Sequence, residues 1–315
     1  MGLPTETYGT IGLTPNTMLP APLPWNELGM KEALCMSQRK GFSREKAAAE
    51  KLACGRDFEG QANDIAVHGN HGTSEILRND VLAAHEIANP KDRAEYGVMF
   101  GCYRPFTTPF LLRDYIRLLD ILDVDYTWLE KEYCCGLPLV VDNPEKGYAQ
   151  GSRFIRKNFE LAKAKGAKEM VYCCVACAHA ARHVFADSGG QHRYILDLLL
   201  DRVEGMASKA DPMTLGYFEG CHSFYRACYP GADLDWKRYR QSLERIRGLS
   251  LVDLPSKLCC KKSTEKIIQL ALDKNLDTIL CPCNACYRTL KATAKGRLAV
   301  LTYPQVLLAC MDFDA

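Results

Sequence analysis

Apolar positions along the chain change rhythm near residue 96. From there to residue 315, short apolar runs alternate with longer stretches whose apolar residues recur at helical spacing, the pattern of parallel strands buried on both faces and joined by crossover helices. "YGVMFGC" (96–102) predicts a buried strand leading to Cys102, and "LLRDYIRLLDIL" the helix after it. "VDYTWL" predicts a strand leading to Cys134 and Cys135, "GSRFIRKNFELAKAKG" a helix, and "EMVYC" a strand with Cys174 and Cys177 in the turn beyond it. Every one of these cysteines follows a predicted strand. Residues 1–95 have a different texture. The first 24 residues hold five prolines and predict an extended arm. A helix is expected over "REKAAAEKLACG", capped by Ser43 and closed by Gly55, and another from Ser74 through "EILRNDVLAAHEIA", with Ile76, Leu77, Val81 and Ala84 at helical spacing. The polar stretch between them, "RDFEGQANDIAVHGNHG", reads as irregular.

The second half of the chain repeats the grammar of the first. "MTLGYFEGC" parallels "YGVMFGC" and sets Cys221 opposite Cys102. "LSLVDLPSKLCC" sets Cys259 and Cys260 opposite Cys134 and Cys135, and "DTILCPCNAC" sets Cys283 and Cys286 opposite Cys174 and Cys177. Tyr194 and Tyr303 each lie 17 residues beyond the last cysteine of their copy. The expected architecture is therefore α/β: an N-terminal extended and helical extension over 1–95, then two tandem, duplicated Rossmann-like parallel-sheet domains over 96–205 and 206–315.

Composition narrows the chemistry. A net charge of +2 in 315 residues offers no basic footprint for nucleic acid. No run of about 18 apolar residues exists, and the N-terminus lacks the layout of a secretion signal, so a cytoplasmic chain without a transmembrane segment is expected. The abnormal number is 16 cysteines. In a reducing compartment, and in a chain long enough to bury its own core, such abundance points to metal or redox chemistry rather than to disulfide staples.

Each copy carries five thiols in one order: a lone cysteine, an adjacent pair, and a C-x-x-C. The spacings are C-x31-CC-x38-C-x2-C and C-x37-CC-x22-C-x2-C. In a parallel α/β sheet the carboxyl ends of the strands share one rim, so these distant loops are expected to converge there. Thiolate-rich, imidazole-poor sites select zinc, Cu(I) or iron–sulfur clusters. The adjacent pairs and the wide separation of the two C-x-x-C motifs favour a cluster, with zinc and unliganded redox thiols as the alternatives.

"YCCGLP" (133–138), with its lone cysteine upstream and C-x-x-C downstream, resembles the cysteine-rich CCG domain of the B-type subunit of heterodisulfide reductase and its relatives among redox complexes. The resemblance covers residues 96–315 in two copies. It implies two non-cubane [4Fe-4S] clusters, one on Cys102, Cys134, Cys135, Cys174 and Cys177, the other on Cys221, Cys259, Cys260, Cys283 and Cys286. It further implies that a disulfide is split or formed between the two clusters. Electrons would come from a flavoprotein resembling the A-type subunit of heterodisulfide reductase, through a small ferredoxin-like protein resembling the C-type one. The second copy departs from the pattern in reading "CCKK" and in its shorter gap to the C-x-x-C.

Other residues carry weaker signals. His222 directly follows Cys221 and is a candidate proton donor to a departing thiolate, with a loop hydrogen bond as the plainer alternative; His179 is weighed the same way. Lys261, Lys262 and Arg288 stand near the second thiols. Cys173 and Cys281 are expected to pack, Cys35, Cys54, Cys228 and Cys310 to be core or surface thiols outside the repeat, and the His68–His71 pair to be structural. No G-x-G-x-x-G, Walker loop or ferredoxin quartet is present, so no flavin, nicotinamide or cubane relay of its own is expected. Two functions fit: the catalytic iron–sulfur subunit of a heterodisulfide-reductase-like complex, or a non-catalytic subunit that relays electrons between partners.

Overall fold

The computed structural model describes residues 57–70, 75–87, 90–203, 211–220, 234–255 and 258–311. The Pro-rich arm, the helix expected after Ser43, Ser74 itself, and the expected boundary near residue 205 lie outside them.

The first described element falls in the stretch read as irregular. Helix α1 (Phe58–His68) starts where the Asp57 carboxylate accepts from the Gly60 N–H, and it ends at Gly69, whose φ of 75° lets its N–H return to the Ile65 carbonyl. Only Ala62, Asp64 and Ile65 of this helix are buried, so its apolar signal was too sparse for a periodicity argument to find. Helix α2 (Glu75–Ala84) lies within the expected segment and buries Val81 and Leu82.

The repeat grammar becomes two four-stranded, wholly parallel sheets of identical order. The first runs β2-β1-β3-β4, from β1 (Tyr96–Met99), β2 (Tyr126–Trp128), β3 (Glu169–Tyr172) and β4 (His192–Tyr194). The second runs β6-β5-β7-β8, from β5 (Met213–Tyr217), β6 (Leu249–Asp253), β7 (Thr278–Leu280) and β8 (Ala299–Leu301). Residues Tyr96 and Gly97 pair with Glu169 and Met170 on one side and with Tyr126 and Thr127 on the other; Gly216 and Tyr217 pair with Ile279 and Leu280 in the same way. The chain is thus an α/β fold of tandem Rossmann-like units.

Helices cross over between strands: α3 (Arg104–Thr107) and α4 (Pro109–Ile121) after β1, α5 (Leu137–Asp142) and α6 (Pro144–Ala164) after β2, and α7 (Val175–His179) after β3. Helix α7 continues as a π-helical turn over Ala180–Val184. After β4 comes α8 (Ile195–Val203), and in the second unit α9 (Trp236–Glu244), α10 (Thr264–Asp273), α11 (Asn284–Ala294) and α12 (Tyr303–Cys310). The units share their cores. Leu280, Tyr303, Val306 and Leu307 of the second unit pack into the main cluster with Leu112 and Tyr115, while Leu111 of α4 joins the second unit's cluster with Ile268 and Leu290. The Tyr303 and Tyr217 hydroxyls are hydrogen-bonded at 2.9 Å in that interior. Cys173, Cys281 and Cys310 are wholly buried, as packing residues would be.

Candidate functional site

All four strands of each parallel sheet deliver their carboxyl ends to one rim, and the thiols lie just beyond it. In the first unit they form a continuous row of sulfur–sulfur contacts. The Cys134 thiol donates to Cys102 at 3.6 Å, Cys135 is hydrogen-bonded to Cys134, and the single Cys177 S–H is within hydrogen-bonding reach of both Cys135 and Cys174. Burial and these donated bonds hold the inner thiols protonated: the hydrogen bond to Cys102 pushes Cys134 well up, and those to Cys135 and Cys174 do the same for Cys177. Cys174 at the end of the row goes the other way, to about 7, through the Cys177 hydrogen bond and then the nearby Arg104 charge, against its burial.

The second unit repeats the row. The single Cys286 S–H is within hydrogen-bonding reach of Cys260 and Cys283, and Cys260 is hydrogen-bonded to Cys259. Cys259 is lowered to about 5, first by the Cys260 thiol, then by the Lys262 and Lys261 backbone N–H groups and the Lys261 charge, with burial opposing. Contact order Cys259–Cys260–Cys286–Cys283 matches Cys134–Cys135–Cys177–Cys174 member for member. Cys221, which would match Cys102, lies outside the described residues, as do its neighbour His222, His71, Cys35, Cys54 and Cys228. Nine of the ten expected cysteines are thus brought together as five and four. Among the described residues, no group of three or more His, Cys, Asp or Glu side chains surrounds one point as a single metal ion would require.

A glycine precedes the lone cysteine in both units for the same steric reason. Gly101 has φ +86° and Gly220 φ +71°; a Cβ on Gly101 would stand 3.3 Å from the Cys177 sulfur, and one on Gly220 3.2 Å from that of Cys286. A left-handed turn without a side chain is what lets the C-x-x-C thiol press against the strand end.

Polar residues that motif reasoning passed over hold the first row in place. Glu132 is buried, and its two carboxylate oxygens accept from the Phe100 N–H (2.7 Å) and the Gly101 N–H (2.9 Å), while Arg78 of α2 pairs with it at 2.9 Å. Asn158 of α6 clamps Tyr133 through both backbone groups, at 2.8 and 2.7 Å. The Cys134 N–H donates to the Gly69 carbonyl, and the Asn70 side-chain amide donates to the Cys102 carbonyl. Part of the segment assigned to an N-terminal extension is therefore built into the support of the first thiol row. A spacing search for thiols carries no signal for such residues, because each acts through a backbone group of a distant segment.

The two rows approach each other at Cys174 and Cys283, near enough for the charge of Cys283 to act on Cys174. Around them the units are stitched together: Asn284 at the start of α11 donates to the Thr107 hydroxyl at 2.9 Å and accepts from that of Thr108, and Phe110 and Tyr287 are in ring contact at 5.9 Å. Arg288, two residues beyond Cys286, bonds the Tyr103 hydroxyl of the first unit and lies over its ring. His179 is buried with its ring 5.5 Å from that of His183.

Residues 96–181, the span of the first thiol row, match the family model of the cysteine-rich CCG domain. Over 226 residues (63% of this chain, 54% of the relative) the sequence is 24% identical to the D-type subunit of dihydromethanophenazine:CoB–CoM heterodisulfide reductase from Methanosarcina acetivorans. It is 26% identical over 189 residues (56% of this chain, 45% of the relative) to the C-type subunit of anaerobic glycerol-3-phosphate dehydrogenase from Escherichia coli K12. The chain spans about half the length of these curated relatives. Among solved structures, a hypothetical protein from Helicobacter pylori aligns with a TM-score of 0.49 and 13% identity over 76% of this chain and 57% of its own. Among the described residues, no helix is long and apolar enough to cross a membrane. The first thiol row thus lies in a stretch that matches the CCG cysteine-rich domain, and the curated relatives are subunits of oxidoreductases.

Proposed function

We propose that this chain is the iron–sulfur subunit of a multi-subunit, heterodisulfide-reductase-like complex, that each thiol row holds a non-cubane [4Fe-4S] cluster, and that a disulfide or related sulfur bond is reduced or formed between the two. Two rows of thiols with the same contact order, meeting at Cys174 and Cys283, carry this reading. The donors fit the group: soft thiolates laid out as an extended row suit an assembly whose irons are spread in space better than one tetrahedral ion. Cys102, Cys134, Cys135, Cys174 and Cys177 would hold one cluster, and Cys221, Cys259, Cys260, Cys283 and Cys286 the other. When bound, the clusters supply one-electron storage.

The protein's own residues do the rest. Glu132, Arg78 and Asn158 fix the loops of the first site, and the glycines before Cys102 and Cys221 let the loops close on the C-x-x-C thiols. Cys102, Cys174, Cys259 and Cys283 are partly exposed while Cys134, Cys135, Cys177, Cys260 and Cys286 are buried, so the open members lie at the ends of each row, where a sulfur substrate could approach. His222 is the proposed proton donor to a departing thiolate. Electrons enter from a flavoprotein through a small ferredoxin-like protein, as the resemblance to heterodisulfide reductase implies.

The test is iron, zinc and acid-labile sulfide per chain on protein purified without oxygen, then electron paramagnetic resonance after oxidation with and without a thiol substrate. About eight irons are expected for two four-iron clusters, with a signal that appears only with thiol. A full iron complement and no thiol-dependent signal would move the chain to electron relay. Zinc without labile sulfide would overturn the reading.

A further inference from the structure

Arg104, the first residue of α3, is 2% exposed, and its Nε and Nη1 have no hydrogen-bond partner. A guanidinium keeps its charge at any pH the fold survives, so it cannot escape burial by losing a proton, as a lysine can. Leaving such a charge buried without a counter-charge costs several kcal/mol, so native proteins pair it. No ion pair to a carboxylate is formed by Arg104 among the described residues. Its guanidinium lies 5.3 Å from the centre of the Tyr115 ring. The helix that carries it lies at the seam of the two units: Tyr103 just before it is bonded by Arg288, and Thr107 at its end accepts from Asn284, the residue after Cys283.

Arg104 therefore sits two residues after the first unit's lone cysteine and on a helix that touches the start of the second unit's C-x-x-C helix. The position two residues after the lone cysteine is Arg104 in the first copy and Ser223 in the second, so this interface has one arginine from this position and not two.

Resting on the cluster assignment above, we propose that Arg104 is a positioning residue shared by both sites: the buried counter-charge that sets the reduction potential of the two clusters together. Each one-electron reduction, with dithionite as the donor in vitro, adds one negative charge beside a fixed cation. The cation stabilises the reduced form, and its removal lowers the potential. Net charge is among the factors that fix such potentials.

The test is a redox titration followed by electron paramagnetic resonance on the full chain and on Arg104→Lys, Arg104→Gln and Arg104→Met, with iron and sulfide measured on each. The neutral variants are expected to be at least tenfold harder to reduce, a shift of about 59 mV for one electron, in both cluster signals, with Arg104→Lys restoring most of the difference. Should the neutral variants fail to retain iron, the same charge argument expects Arg104→Lys to retain it. Iron-replete neutral variants with unmoved potentials, or a lysine variant that behaves like the methionine one, would overturn the role of Arg104 alone. A wild-type chain without iron and labile sulfide would overturn the cluster assignment itself.

Discussion

Glu132 is one carboxylate with three partners: a cation on one side and two backbone N–H groups at the end of β1 on the other. Because the group is buried, removing its charge leaves Arg78 uncompensated, a loss on the order of 3–5 kcal/mol. Glu132→Gln is therefore expected to lower the chemical denaturation midpoint and to strip iron from the first site while the second keeps about four, read by iron analysis. Gly101 sets a second constraint. Gly101→Ala places a methyl group against the Cys177 sulfur in a backbone conformation that alanine resists, with an expected loss of about 1–2 kcal/mol and a weakened first cluster signal. Asp114 on α4 makes a different kind of case. Its carboxylate oxygens are buried without hydrogen-bond partners, and burial raises it to about 6, with Arg113 and Arg117 opposing. Since the folded-state value lies above the ordinary 3.8, the fold prefers the protonated acid: this contribution is fully present below pH 4 and is lost as pH rises through 6. Asp114→Asn should stabilise the protein by on the order of 2 kcal/mol at pH 7 and by nothing at pH 4, measured by thermal melts at both.

At the scale of elements, the alternation of strands and crossover helices from residue 96 was legible, as in β1, β2, β3, α4 and α6, because buried parallel strands and amphipathic helices impose distinct periods on apolar residues. Helix α1 was not. Its three buried residues are too few for a period, and what defines it is an aspartate cap at one end and a left-handed glycine at the other. Its placement matters for the site, since the loop after it meets the first row through Gly69 and Asn70. Asn70→Ala removes one hydrogen bond to the Cys102 carbonyl, worth about 1 kcal/mol, and is expected to speed iron loss from the first site to a chelator several-fold while leaving the second unchanged. The π-helical turn after α7 is likewise invisible to a 3.6-residue period, because it departs from the i to i+4 ladder that the period assumes.

The whole molecule is a duplication whose halves share apolar core while each keeps its own sheet and thiol row. Breaking one row should therefore leave the other. Cys135→Ser and Cys260→Ser are each expected to reduce iron from about eight to about four per chain; loss of all iron from either single variant would mean that the sites assemble as one. Chain order alone determined the number and sequence of the thiols, the repeat, and the rim to which the loops run, because strand periodicity and cysteine spacing are local properties that survive translation into three dimensions. Only the tertiary structure decided that the two rows come together at the seam of the units, that Glu132 and Asn158 clamp the first one, and that Arg104 is buried on a helix at that seam. Those relations join residues far apart in the chain, from the 25 residues between Tyr133 and Asn158 to the 177 between Thr107 and Asn284, and they arise from burial and unmet hydrogen-bonding capacity, which no periodicity records.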